Sequence, residues 1–334
     1  MADTKFSELP VKSTAVDLIA DIFAVVSGGV TEQVPANLIP FTKILTASTS
    51  VYIATTGNDT TGDGSVGLPY LTPHKAYEHL QDYFLGAGVI ATIQCAAGTY
   101  THASTLIPYH PQGSQIILSG ATMLGTVVDG DFVASAATTT TNLETRYATI
   151  FRGNFAGAMI SSGDFGTELL FRCEDILFDG NAVSTYGLLM TNGSNFRCVG
   201  ISCISMVVRG VHIEGGGLGD INGDSSLSHG AIGLWSDTNS TILMIDCFTP
   251  YNTDTGIFCT GGSQLTVFNT VSRANTNDDY VSSDVSYMRI ASGLATGQFV
   301  RCSNRSSINA ASVGGVTYSP AHAVNGNNDS IIYA

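Results

Sequence analysis

Two consecutive stretches decide how this chain folds: GLWSDTNSTILMIDCFTPYNTDT, residues 233–255, and GIFCTGGSQLTVFNTVSRANTND, residues 256–278. Each opens on glycine, an aliphatic residue and an aromatic, and Gly233 and Gly256 stand 23 positions apart. The same step backwards reaches Gly210 (GVHIEGG) and Gly187 (GLLMTNG), so four glycines share one period. A repeat of this length, rich in strand-sized runs, suits a parallel β-solenoid, where each unit is one coil and buries its apolar side chains only by stacking on its neighbours. The second position of the units reads Leu188, Val211, Leu234 and Ile257, and the fourth reads Met190, Ile213, Ser236 and Cys259. Both columns are small to medium and mostly apolar, as inward columns must be. Later in the unit Ile242 aligns with Leu265 and Met244 with Val267. The stretch GGGLGDINGDSSLSHG (215–230) is too polar for a buried strand and is expected to bulge out as a loop. Beyond Asp278 the register is lost, although YMRIAS and QFVRCS read as strands. A two-sheet sandwich is the competing fold, and it would not stack Leu188, Val211, Leu234 and Ile257 in one column.

Outward from the repeat, β-branched runs such as VYIATT, VIATIQC and QIILSG begin at Val51, each bounded by turn residues. One segment breaks the pattern. TPHKAYEHLQDYFLG (72–86) has Thr72 as N-cap, Pro73 at the first helical position and Gly86 as a stop, which predicts a helix over 73–85. Its apolar stripe is Ala76, Leu80, Tyr83 and Phe84. A lone amphipathic helix ahead of many strands is placed to cap the open end of a stack. His74 and His79 on it read as satisfied or solvated histidines. Residues 1–48 differ in composition: a short helical pattern, then Val30, Gln33 and Leu38 among turn residues and prolines, which suits a small strand-and-turn module.

Charged residues are only 12% of the 334, against about a quarter in an ordinary soluble domain. So few charges poorly cover a monomer's surface, which points to burial in an oligomer or larger assembly. With 13 basic and 27 acidic residues the net charge is −14, which argues against nucleic acid and anionic membrane as partners. The opening residues carry no basic n-region, and Asp17 and Asp21 interrupt their apolar run, so neither a leader peptide nor a spanning helix is expected. The seven cysteines show no CxxC or Cys/His ligand spacing; they read as small buried thiols of a reducing compartment, and no metal is expected. P-loop and dinucleotide fingerprints are absent, so no cofactor is expected either.

Two passages resemble known families. KFSELPVKSTAVDLIADIFAVVSGGVTEQVPANL (5–38) resembles the N-terminal module of bacteriophage tail fibres and tailspikes in its Phe-Ser-Glu-Leu-Pro start, its Asp-Leu-Ile stretch and its Gly-Gly-x-Thr turn. VYIATTGNDTTGDGSVGLPYLTPHKAYEHL (51–80), with ATIQCAAGTYT and IPYHPQGSQIILSGA after it, resembles the first coils of the pectin-lyase-like right-handed β-helix. The resemblance implies an all-β chain: a virion-attachment module at 1–48 and a right-handed parallel β-helix over 49–334. It also implies a virion tail component, a homotrimer assembled in the host cytoplasm and docked through its N-terminus on a tail or baseplate protein. Its role would be structural and adhesive toward host surface polysaccharide. The alternative is a polysaccharide depolymerase, a glycoside hydrolase, on the same scaffold; a secreted pectinase-like enzyme is a third reading.

Signatures of chemistry are few. Asn252-Thr253-Asp254 and Asp278-Asp279 echo polygalacturonase elements, but the Gly-His-Gly that should follow is missing, and SHG at 228–230 precedes them. Glu174, Asp175 and Asp179 lie beside Gly-Asn and read as a turn. No Gly-x-Ser-x-Gly elbow supports an esterase. The repeat arithmetic yields one candidate site. If positions two and four point inward, position three (Leu189, His212, Trp235, Phe258) forms an outward column, a sugar platform or a subunit interface. At position five, Glu214 and Asp237 would stand on adjacent coils about 5 Å apart, the spacing of a retaining glycosidase pair, with crowding raising one pKa. Against this stands the plainer expectation that the aromatics pack on another subunit and the carboxylates are solvated surface.

Overall fold

Every coil of the repeat turns its second and fourth residues into one shared interior, and the strands that carry them pair in parallel. The computed structural model describes residues 22–27, 30–35, 43–162, 170–291, 294–295, 299–310, 317–319 and 331–333. Among these residues, sheet I holds eight strands, from Ala158–Ser161 to Thr317–Ser319. Sheet II holds eleven, from Thr49–Ile53 to Ile331–Tyr333, and sheet III five, from Gly98–His102 to Ser226–Ser228. Neighbouring coils pair in parallel in all three. Leu188, Val211, Leu234, Ile257 and Tyr280 face one another in unbroken register and are fully buried. One vertical stack excludes the sandwich. The chain is a parallel β-solenoid.

The glycines that open the units are steric necessities. A Cβ at Gly187 would lie 2.6 Å from the Gly210 carbonyl oxygen, and one at Gly233 2.6 Å from that of Gly256 and 2.9 Å from that of Leu227. Sheet I bends against sheet III at this corner, and only hydrogen fits. In the next coil Asp279 takes the place, and the Asn275 side chain donates to its carboxylate at 2.8 Å.

A second column explains the Asn/Gly richness. Between sheets I and II the chain turns on paired residues with positive φ: Asn192-Gly193, Gly215-Gly216, Thr238-Asn239, Gly261-Gly262, Asp284-Val285 and Asn304-Arg305. Glycine and asparagine tolerate this left-handed conformation, whereas Val285, at φ 65°, bears its steric cost. Beside the turns a serine ladder threads the interior. The backbone N–H of Ser240 donates to Ser263 Oγ at 3.1 Å, that of Ser263 to Ser286 Oγ at 3.2 Å, and that of Ser286 to Ser306 Oγ at 3.2 Å. These interior serines are thus matched coil to coil.

Three expectations change. The polar stretch 215–230 is no loop: Leu218–Asn222 joins sheet II and Ser226–Ser228 joins sheet III. Gly219 makes room there for the Phe196 ring, while Ile221 fills the core and Ser225 accepts the Ile201 N–H. The helix runs only over Pro73–Leu80 (α1), because Tyr83–Leu85 leaves it to pair with Lys43–Leu45. Its Thr72 cap and Pro73 start are as expected, and Ala76, Tyr77 and Leu80 pack into the solenoid core. Beyond Asp278 the coils continue with a shorter step, Tyr280 pairing with Val300.

A further helix, Ala136–Glu144 (α2), lies in a segment that the threonine-rich sequence had hidden; Ser135 caps it. Its Leu143, with Val127, Phe132 and Tyr147, covers Ile150, Leu177 and Ile204 on the outside of sheet III. Arg273 pins the cover: Nε donates to Asp129 at 2.7 Å and Nη1 to Tyr251 at 3.0 Å. Ahead of the solenoid, Ile22–Ser27 and Val30–Pro35 form an antiparallel hairpin, while the residues before 22 lie outside the described ones. All seven cysteines are buried.

Gly233→Ala is expected to destabilise the protein by about 1–3 kcal/mol, since neighbouring backbone must move. Gly130→Ala, whose Cβ meets nothing within 4 Å, should be neutral. Val285→Gly should stabilise by about 1 kcal/mol by removing a β-branched side chain from the left-handed turn. Urea-unfolding midpoints check all three.

Candidate functional site

On the outer face of sheet I, Leu189, His212, Trp235 and Phe258 occupy the column that the period assigned to them. The Trp235 and Phe258 rings stack at 4.5 Å and 24°, and His212 meets Trp235 edge-on at 6.2 Å. Two residues further toward the turn, on the same face, stand the acids. The Glu214 N–H bonds to Met190 and that of Asp237 to Ile213, so both acids extend the ladder by one step. One oxygen of each lies within 4.8 Å of the other and of a His212 ring nitrogen. The expected juxtaposition of Glu214 and Asp237 is present.

The column is not open in the way expected. His212 is buried, with 6% of its surface exposed, and Trp235 is only half-exposed. Arg209 from the preceding coil lays its guanidinium 3.8 Å from the centre of the Trp235 ring system, and Phe258 from the following coil takes the other side. The indole is clamped between a cation and an aromatic ring, a strong arrangement for a tryptophan. Tyr186 flanks the pair, its ring 5.8 Å from the same guanidinium and 5.8 Å from His212.

Electrostatics follow from this packing. Arg209 Nη1 lies 2.9 Å from His212 Nδ1, and an arginine can only donate. The same Nη1 lies 3.3 Å from Nε2, so the guanidinium lies against both ring nitrogens, and Nε2 in turn is 3.5 Å from Glu214 Oε2. Burial, reinforced by the Arg209 charge, pushes the His212 pKa down to about 4, while Asp237 opposes the shift. Asp237 also accepts the Thr238 N–H at 2.7 Å, which ties the site to its turn. His212, Glu214 and Asp237 together would make a three-donor set for a divalent ion. However, the Arg209 guanidinium lies against both ring nitrogens, where it competes with such an ion. Arg209 already supplies the positive charge that the two carboxylates need.

Arg209 and Tyr186 are the residues the sequence reading missed as site members. Both fall 23 apart one place before the unit glycine, so the signal was the same period. The polygalacturonase echoes belong to structure. Asn252 donates to the Leu227 carbonyl at 3.1 Å, Asp254 accepts from Asn277 at 2.7 Å, and Asp278 pairs with Arg301 at 2.8 Å. Asp175 sits at a left-handed turn, and Asp179 pairs with Arg152 at 2.8 Å.

No protein-family model matches this sequence, and no curated protein does. Among solved structures, the crystal structure of pectate lyase Pel9A is similar at 14% identity, over 84% of this chain and 74% of that one, with a TM-score of 0.46. A rhamnogalacturonan lyase is similar at 12% identity, over 79% of this chain and 75% of that one, with a TM-score of 0.31. Likenesses of this size say nothing of chemistry.

A histidine whose folded pKa lies below its unfolded value contributes stability that is present above about pH 6.5 and lost as pH falls toward 4. Between those values the unfolded chain binds the extra proton. The His212 contribution, up to about 3 kcal/mol, should therefore disappear on acidification. His212→Gln should flatten that part of the stability–pH curve, read from urea midpoints between pH 7 and 4.

Proposed function

We propose that this chain is a structural and adhesive component of a bacteriophage tail, a rigid β-solenoid that presents the His212–Trp235–Phe258 face to a surface polysaccharide. The observation that carries the reading is the clamped column. An indole held between Arg209 and Phe258, over a buried His212, is a preformed surface whose side chains lose little freedom on binding. Attachment through residues 1–48 rests on the Phe-Ser-Glu-Leu-Pro motif and the hairpin that follows it. The homotrimer is supported by the low charge and by exposed apolar residues on sheet II, among them Leu218, Phe268 and Tyr287.

A second reading, a glycoside hydrolase, is favoured by one distance: Glu214 and Asp237 oxygens within 4.8 Å, near the about 5–5.5 Å of retaining enzymes and well below the spacing that admits a water between the pair.

Incubation with capsule or lipopolysaccharide from candidate hosts separates the two. The adhesive protein should be retained without release of reducing ends, and Trp235→Ala should weaken retention about tenfold or more. Release of reducing ends that Glu214→Gln abolishes would make the chain a hydrolase. Particles that still incorporate a chain lacking residues 1–48 would overturn the attachment assignment.

A further inference from the structure

Among the described residues, the first coil leaves one sheet edge uncovered. In sheet II, Tyr70 bridges to Ile53, and the Ala54 N–H donates to the Tyr70 carbonyl at 2.9 Å. In sheet I, Leu106 bridges to Ile160, donating to the Met159 carbonyl and accepting from the Ser161 N–H, both at 3.0 Å. Sheet III has no such cover among the described residues. Its first strand, Gly98–His102, pairs on one side only, with Thr149–Gly153. Bonds from the Gly98 N–H to Ala148 and from the Asn154 N–H to the His102 carbonyl show which residues face that neighbour. In a parallel ladder the residues between, Thr99 and Thr101, turn their N–H and C=O groups the other way. On that side lies a cavity of about 330 Å³, walled opposite by Leu71 to His74 at the start of α1.

His102 lines its base. The side chain points inward with that of Tyr100, is 4% exposed, and has no hydrogen-bond partner on either ring nitrogen. A buried polar group left unmatched costs about 1–3 kcal/mol, so its presence needs an explanation. The ring lies 4.5 Å from that of Phe151 and 5.9 Å from that of His74, whose own Nε2 bonds to the Thr105 carbonyl at 3.0 Å. Burial pushes the His102 pKa down to about 4, so near neutral pH the ring is uncharged and offers one N–H and one lone pair.

The lining contains no aspartate, glutamate, lysine or arginine, so an ionised ligand would enter without a counter-charge. Strand amides and carbonyls, a neutral imidazole and threonine hydroxyls mix donors with acceptors. Hydroxyl groups match such a mixture, since each both donates and accepts. Tyr100 and Pro73 supply the apolar wall that the C–H face of a sugar ring needs. The volume is at the lower end of small-molecule sites, which run from about 300 to 1,000 Å³. We propose that this cavity binds a neutral polyhydroxylated ligand, a mono- or disaccharide, held by His102 and the free edge of Gly98–His102. The site is distinct from the Trp235 face and independent of how that face is read.

The test is an NMR titration of the His102 imidazole in the full chain with maltose, cellobiose, lactose and N-acetylglucosamine, and with galacturonate as the charged comparator. At least one neutral sugar should shift the His102 signals saturably, and galacturonate should not. His102→Phe should lower the affinity about tenfold or more. Leu71→Trp, at the exposed mouth and away from the core, should block binding without changing the unfolding midpoint, and Gly130→Ala, outside both sites, should bind like the wild type. The proposal fails if no neutral sugar gives a saturable response, if galacturonate binds equally well, or if both cavity variants retain wild-type affinity. It fails equally if sugar-soaked crystals show only water on the His102 nitrogens.

Discussion

The hydrogen-bond ladder between successive coils is the constraint on which everything else rests. Parallel strands must sit about 4.8 Å apart, so each residue lies directly against its equivalent one coil away. A side chain that suits its column is supported from above and below; one that does not disturbs two neighbours at once. This is why the interior runs as homogeneous columns, with Leu188, Val211, Leu234 and Ile257 in one and the serine ladder from Ser240 to Ser306 in another. It is also why unit glycines recur: the carbonyl of the next coil occupies the space a Cβ would need.

The same ladder builds the outer faces, with different consequences for each. Sheet III is covered by the segment around α2, which Arg273 and Asp129 hold in place. Sheet I carries a clamped aromatic column with two carboxylates at its turn, and sheet II leaves large apolar residues in water. Chemistry that would be scattered in a linear sequence is concentrated because three consecutive coils each contribute one residue to each place. Arg209, Trp235 and Phe258 meet only because their coils are adjacent. His212 is neutral because that packing excludes water and places a guanidinium beside it.

Much of this was legible in the linear chain. The 23-residue step between Gly233 and Gly256 names the solenoid, its inward columns and the neighbours His212, Trp235 and Phe258, because a ladder converts sequence period directly into contact. The Glu214–Asp237 pair follows from the same arithmetic. What the period could not say is where a side chain goes once it leaves the sheet. The clamp on Trp235, the burial of His212 and the approach of Arg209 to its ring depend on side-chain directions across coils. The polar stretch 215–230 becomes strand because Phe196 needs the space of Gly219, and Tyr83 leaves the helix because Lys43–Leu45 offers a partner. Local propensity in both places was real, and it lost to contacts with residues distant in sequence. The sequence by itself determined which residues stack; only the tertiary structure decided which of them meet water, because exposure depends on what the chain lays over each face.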